Sequence, residues 1–542
     1  MAEKRKKEKF GRRIKNWALD RDYVFFSFLF VVVLITVVAV GMSSPRPQTI
    51  VAEDLSFSKD SGFYGGDLEV EIVAKKSGEI RFNLNGDDIN NTSEKYGDTI
   101  KLEVPEEGYK VYTLGAALCE EAEECRKTEH KTYVLGKNLD EDVDLDIISI
   151  TSSQKNLYDY EYGIMVGGKT FDDNSGKGLD YVPGNYNQRS DEWIRNSHVT
   201  GFSADGSILF DKDLGIQISG GTSAAFGVKS LKILGNKKYG FDKIPFDFGD
   251  GLEVYNTIRL RSGAQDQYFG NIRSSIVSRL SKESNFDGAP DTKRVVCFLN
   301  GDFYGIFDAQ QNYSSSYLTK KFGLPNSDFV ITEKDNEPHV LREMGARELL
   351  LSDLNNEKNI ELLEDIVDMD DFLTYYALQI LWNNTDWPNN NYEGWKYVGD
   401  RNDINKYTDG RLRFLVYDTD MVYYTEGNAL MFDGAVGDQF ATLMNGVLRA
   451  EDSVFKNVVK SDYYRNRFVG ILRNLINGPF ETENVLKIVD EEAAKIDKQM
   501  QLFYTDEEYE EWQGWIELLK KAVSERNNVV RADARKYFSV EL

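Results

Sequence analysis

The chain has 542 residues, with 90 Asp and Glu against 65 Lys and Arg, a formal net charge of −25. Such a surface repels nucleic acid and anionic wall polymers, so no nucleic-acid role is expected and any partner protein is more naturally basic. An aromatic content of 13%, including 30 Tyr, excludes a disordered stalk, and the length calls for two or three domains.

The first 22 residues carry nine Lys and Arg and four acids, a net of +5. Residues Tyr23 to Met42 then run 20 positions without a charge. As a helix this run measures about 30 Å, the thickness of a bilayer core. Basic residues ahead of a single span hold that end in the cytoplasm. The expectation is a single-pass membrane protein with the bulk outside the cytoplasm, where −25 − 5 leaves −30 on the exported part. A cleaved signal peptide is the competing reading, with Ala39-Val40-Gly41 as its cleavage site.

Residues 43–52 read as a short Pro/Ser linker. Over 53–138, segments such as LEVEIVA, GEIRFNLNG, TIKLEVP, YKVYTLGAAL and HKTYVLG alternate apolar and polar residues between turn signals. They predict a small antiparallel β-sandwich. Cys119 and Cys125 are spaced to close a loop in an oxidising compartment, while Cys297 lies in an apolar run and reads as a buried thiol. The three histidines, His130, His198 and His339, are scattered, and no zinc-type Cys/His spacing occurs, so neither a Ser-His-Asp triad nor a His-based metal site is indicated. The stretch FSKDSGFYGGDLEVEI followed by IRFNLNGDD resembles the chitobiase C-terminal-like, immunoglobulin-like modules of exported bacterial proteins. That resemblance implies either a docking module for cell-surface glycan or a spacer. The spacer is favoured, because no aromatic platform can be read from the sequence.

From 145 to 542 a sheet-rich part precedes a helix-rich part, the pattern of an α+β domain. VVCFLNGDFYGIFDA predicts a hairpin turning at Asn300-Gly301. Helices are expected at 266–284, 341–355 and 370–382, a second hairpin from YEGWKYVG and RLRFLVYD, and a helical bundle from about 455.

One loop invites chemistry. LWNNTDWPNNNY sets Asp386 and Asn391 in a D-x-x-x-x-N spacing after a helix, and the next hairpin ends at Asp418-Thr419-Asp420. Phosphoryl transfer needs a carboxylate to take the acceptor hydroxyl's proton, and hard oxygen ligands for Mg²⁺ or Mn²⁺. Upstream, IQISGGTS is a strand entering a small loop whose amides at Gly220, Gly221 and Ser223 can approach ATP phosphates. Lys229 and Lys232 follow, either able to reach a phosphate. Taken singly, these are ordinary turns and solvated lysines; their order matches the parts of a kinase.

GIQISGGTSAAFGVKSLKI, VVCFLNGDFYGIF, NNTDWPNNNYEGWKY and RLRFLVYDTDM resemble the spore-coat protein H (CotH) family of atypical, kinase-like proteins, from about residue 145 to the C-terminus. The resemblance implies a kinase-like fold and Mg-ATP-dependent transfer to protein Ser/Thr. It makes Lys229 the phosphate-binding lysine, Asp386 the catalytic aspartate, and Asn391 and Asp418 metal ligands, with Asp420 the rival of Asp418. Two departures stand out. Gln310-Gln311-Asn312 replaces an expected acid, and helix 266–284 offers only Glu283, near its end, to pair with the lysine. Export also places the site where ATP is scarce. Besides a kinase acting on surface or secreted proteins, the sequence therefore leaves room for a non-catalytic kinase-like surface protein for adhesion or envelope assembly, and for a glycan-binding protein.

Overall fold

The computed structural model describes residues 54–542 except 121–124, 180, 242, 250, 326–327, 402–404, 424–437, 446 and 449–450. The expected tail, span and linker at 1–52 lie outside the described residues. Among the described residues no helix is long and apolar enough to cross a membrane. Leu55–Leu542 form one compact unit.

The N-terminal sandwich contains β1 (Leu55–Phe57), β2 (Gly62–Tyr64), β3 (Leu68–Val70), β4 (Ile72–Ala74), β5 (Glu79–Asn83), β6 (Glu94–Lys95), β7 (Ile100–Leu102), β8 (Tyr109–Cys119) and β9 (Glu129–Gly136). One sheet runs β2-β9-β8-β5-β6, and β1–β4 and β3–β7 pair opposite it. Alternating side chains such as Leu68, Val70, Ile100, Leu102 and Leu114 fill the space between them. β2 pairs with β9 in parallel, a departure from the all-antiparallel expectation. Three residues beginning at Gly62 are too short a signal for its pairing partner to be read locally. Cys119 and Cys125 are joined in a disulfide.

A closed seven-stranded barrel follows. Its strands are β10 (Asp146–Thr151), β11 (Arg195–Phe202), β12 (Ile208–Ile218), β13 (Leu231–Leu234), β16 (Thr257–Arg261), β17 (Thr292–Leu299) and β18 (Asp302–Gln311). The strands β14 (Ile244–Asp247) and β15 (Leu252–Tyr255) form a separate hairpin. The barrel order is β10-β11-β12-β13-β16-β18-β17, shut by the parallel pair β10–β17. Asn300 and Gly301 turn β17 into β18 with φ of 52° and 89°, the left-handed pair that a two-residue hairpin requires. Asn300 also exchanges hydrogen bonds of 2.9 Å with the backbone of Ser152, tying that turn to the end of β10. Cys297 is fully buried in the barrel core.

The helix-rich half begins beneath the barrel. Helix α1 (Arg273–Glu283) leads to β17, and Asn312, Tyr313 and Ser314 connect β18 to the first helix beyond the barrel. A small sheet, β19 (Phe329–Ile331), β20 (Tyr392–Tyr397) and β21 (Arg413–Val416), packs on α2 (Met369–Trp382). The helix expected at 341–355 is instead two short ones, Glu337–Glu343 and Arg347–Leu350. Gly345, at φ 74°, breaks the chain between them. The bundle is α3 (Asp462–Ile476), α4 (Thr482–Phe503) and α5 (Asp506–Phe538), matching the expected C-terminal helices.

The sandwich is not a loose appendage. Tyr109 of β8 packs its ring against Phe298 of the barrel and Phe503 of the bundle, at centroid separations of 5.9 and 5.0 Å. A shared apolar cluster therefore joins the outer faces of sandwich and barrel to the bundle.

Candidate active site

Strand alternation builds the roof of the site. Ile216, Leu231, Ile233, Ile258 and Leu260 point into the barrel core, so their neighbours Gln217, Lys232, Arg259 and Arg261 face the other way. Register places Gln217 beside Lys232, Lys232 beside Arg259 and Arg259 beside Gln310, a single row crossing four strands. Lys232, Arg259, Arg261 and Gln310 line a cleft of about 530 Å³ between barrel and helical half. Arg189 and Lys334 complete its basic wall, Ser274, Val277 and Ser278 of α1 its back, and Gln311, Asn312 and Tyr313 the connection between the halves.

The Asn-rich loop after α2 approaches the cleft through Asp386, which feels the charge of Asp418. Helix α2 ends at Asn383, whose left-handed φ of 51° turns the chain out. Trp387 is buried, its indole N–H donating to Tyr375 Oη at 2.8 Å and its ring packed edge-on against Tyr375 and Tyr376. This anchor pins the middle of the loop. On either side of it, Asn390 and Asn391 donate side-chain amide hydrogens to the Asp386 carboxylate at 3.1 and 2.6 Å. The loop after β21 is tied to this one, with the Tyr423 N–H donating to Trp382 O at 2.6 Å and Thr385 Oγ1 to Met421 O at 3.5 Å.

Asp418, at φ 54°, leaves β21 in the left-handed region, a strain that folded proteins concentrate at functional positions. Its carboxylate is ion-paired with Arg261, which holds it far below the usual carboxylate range. Asp420 sits behind it, 3.4 Å from Arg261 and accepting the Gln265 N–H at 3.0 Å. Burial and the charge on Asp418 push Asp420 well up. Burial raises Asp386, with the negative charge of Asp418 adding to the effect and the two asparagine amides opposing it. The two aspartates therefore share one electrostatic neighbourhood.

Of the cations around them, Arg261 is paired with Asp418, while Arg259 and Lys334 face Glu393. Burial draws the Lys232 ammonium down, reinforced by Arg259 and Arg189. Arg259 Nε is buried without a hydrogen-bond partner. Glu393, the acid of β20 that lines the cleft, is pushed up to about 7 by burial. Five basic side chains thus converge on one cleft of an otherwise strongly acidic protein, against Glu333, Glu393 and Asp418, an excess of positive charge that suits an anion.

Asp386 and Asn391 are joined by a hydrogen bond, Asp418 and Asp420 share Arg261, and the charge on Asp418 is felt at Asp386. Arg189 donates to Gly220 O, and Asn187 Nδ2 to Gly221 O at 3.0 Å, so the Gly loop is held next to the cleft without lining it. Lys229 is placed elsewhere. It precedes β13, its ammonium folds back to donate to Phe226 O at 2.5 Å and lies 4.8 Å over the Tyr186 ring, and burial pushes it down to about 8. Of these two neighbouring lysines, Lys232 is the one that lines the cleft. Glu283 is occupied by Arg279 at 3.2 Å and Asn484 at 2.9 Å, in keeping with its not being assigned to the lysine. Arg189, Arg259, Arg261, Lys334 and Glu393 were not singled out by the sequence. The alternation in Ile258-Arg259-Leu260-Arg261 was the available signal for two of them.

Residues 216–530 match the family described as CotH kinase protein. The chain belongs to this family. The match covers more than half of the sequence and takes in the cleft residues from Lys232 onward, and it does not reach the N-terminal sandwich. Membership brings a kinase-like domain and, in general terms, the use of a nucleotide and a metal. No curated protein matches. Among solved structures, the Helicobacter pylori proinflammatory kinase CtkA aligns at 10% identity over 53% of this chain and 90% of its own, with a TM-score of 0.27. So faint a likeness says nothing of this chain's chemistry.

Proposed function

We propose that this protein is a membrane-anchored atypical kinase that transfers the terminal phosphoryl group of ATP to Ser or Thr hydroxyls of surface or secreted proteins. The observation that carries the reading is the convergence of Arg189, Lys232, Arg259, Arg261 and Lys334 on the cleft that also receives Asp418. Lys232 and Arg259, adjacent across β13 and β16, suit the phosphate oxygens. Gln311, Asn312 and Tyr313 offer polar groups at the end where a base would lie.

The donor set fits a hard divalent cation: the carboxylates of Asp418 and Asp420, and the side-chain oxygen of Asn391, whose amide nitrogen already serves Asp386. Bound there, Mg²⁺ or Mn²⁺ would supply neutralisation of the charge on the transferring phosphoryl group. Asp386 orients the acceptor hydroxyl and takes its proton as the new oxygen–phosphorus bond forms and the bond to the leaving diphosphate breaks. Asn390 and Asn391 hold the Asp386 carboxylate in place for that role. Arg261 keeps Asp418 ionised and fixed. A protein acceptor that is basic would suit the acidic exterior.

The test uses the full-length chain, labelled ATP, Mg²⁺ or Mn²⁺, and protein from its own cell surface. Asp386→Ala is expected to fold and to bind nucleotide while losing transfer. Equal phosphate incorporation by mutant and wild type would reject the role of Asp386. Calorimetry that finds no nucleotide binding by the wild type would favour a non-catalytic surface protein instead.

A further inference from the structure

We propose that His130, His198 and Asp213 form a binding site for a zinc-class divalent transition-metal ion that fastens the sandwich to the barrel. His130 comes from β9 of the sandwich, whereas His198 and Asp213 are direct cross-strand partners on β11 and β12 of the barrel. One ligand atom from each lies within 4.8 Å of the other two. None of the three lines the nucleotide cleft, so the site stands or falls independently of the kinase reading.

Three observations point to an ion rather than to simple packing. First, His130 Nδ1 is buried and has no hydrogen-bond partner, so a polar ring nitrogen is enclosed at the junction unsatisfied. Second, the barrel side sets a nitrogen and a carboxylate side by side, joined now by a hydrogen bond that an incoming ion would replace, the Nδ1 proton leaving to water. His198 Nδ1 stands 2.8 Å from Asp213 Oδ1, and His198 Nε2 is 2.5 Å from Asp211 Oδ1. Asp211 is itself fixed by Ser61 Oγ at 2.9 Å and Thr200 Oγ1 at 3.0 Å. A carboxylate on the far nitrogen is how proteins set the tautomer and direction of a metal-binding imidazole. Third, a cation already occupies the open side, since the ammonium of Lys127 is paired with Asp213 Oδ2. That lysine side chain is 78% exposed and can swing into water at little cost.

Two imidazoles and one carboxylate, with water as a fourth ligand, suit zinc and its neighbours, whereas Mg²⁺ and Ca²⁺ prefer oxygen alone. Bonds of about 2.1 Å put neighbouring ligand atoms of a tetrahedral site about 3.4 Å apart. The His130 ring now lies stacked on His198, centroids 4.6 Å apart and planes 20° from parallel. Metal binding therefore requires His130 to tilt out of that stack toward Asp213, and the His198 Nδ1 and Asp213 Oδ1 atoms to open from their present 2.8 Å.

The experiment titrates the chelator-stripped full-length chain with Zn²⁺ against a competing dye, and with Co²⁺ followed by visible absorption. One equivalent is expected to bind, with the Co²⁺ spectrum of a four-coordinate site and a rise in melting temperature. His130→Ala, which breaks no hydrogen bond at Nδ1, is expected to weaken binding at least tenfold, and Asp211→Asn by about 10–100-fold. His130→Gln serves if the alanine variant folds poorly. Failure of the wild type to take up zinc at micromolar free metal, or undiminished uptake by both His130→Ala and Asp213→Asn, would overturn the proposal and leave the cluster a purely ionic junction.

Discussion

Replacing each of two neighbouring lysines with alanine separates the geometry of the cleft from the expectation that the sequence raises. Lys232 lines the cleft beside Arg259, and Lys229, three residues earlier, is bonded to its own loop. In a partly buried site a charge-assisted hydrogen bond to phosphate contributes about 1.5–3 kcal/mol. Relief of the repulsion between Lys232 and Arg259 offsets part of that loss, so the lower half of the range is the better expectation. Lys232→Ala should therefore weaken Mg-ATP binding by about 10–50-fold and leave the melting temperature nearly unchanged. Lys229→Ala removes a bond to Phe226 O and a cation–π contact with Tyr186. It should cost about 1–2 kcal/mol of stability with nucleotide affinity within about twofold, well under 1 kcal/mol. Isothermal calorimetry and thermal denaturation on the same three proteins read both quantities. The reverse pattern, with affinity lost at Lys229 and retained at Lys232, would refute the assignment of Lys232 to the phosphates and with it the row-across-the-sheet argument.

Arg261→Met strips the counter-ion from two buried aspartates, and should destabilise the chain by about 3–5 kcal/mol in denaturant titration; the double variant with Asp418→Asn should recover part of that loss, and no recovery would contradict the pairing. Asp371 on α2 is pushed up to about 8 by burial and by Asp368, and accepts the Phe414 N–H at 2.9 Å. An acid raised in the fold favours its protonated form, so its stabilising contribution is complete below the unfolded value near pH 4 and is lost as pH rises through 8. Asp371→Asn keeps an acceptor for Phe414 and does not titrate. The stability gap in its favour should widen between pH 4 and 8 by an amount on the order of a few kcal/mol, and a gap flat in pH would show that Asp371 is ionised in the fold.

Local pattern carried much of the architecture. The alternation over 53–138 specified a sandwich, because period-2 burial needs only neighbours in sequence. Asn300-Gly301 specified its own turn, because few other pairs adopt two successive left-handed conformations. Asp386 and Asn391 were legible for a similar reason. Five residues apart in one loop, they meet through a hydrogen bond that the loop itself makes. The long helix at 341–355 was misjudged because one glycine with positive φ outweighs a run of helix-compatible residues.

What the sequence by itself determined about this protein is thus its local grammar: an uncharged twenty-residue run behind a basic tail, the order of strands and helices, the hairpin turns and the aspartate–asparagine loop. Only the tertiary structure decided which lysine faces the cleft, which arginine neutralises Asp418, and that His130 meets His198 and Asp213. Alternation divides a strand into two faces without saying which one a closed barrel turns inward. The basic wall gathers residues from Arg189 to Lys334, and charges so far apart along the chain become neighbours only when seven strands close around a common core.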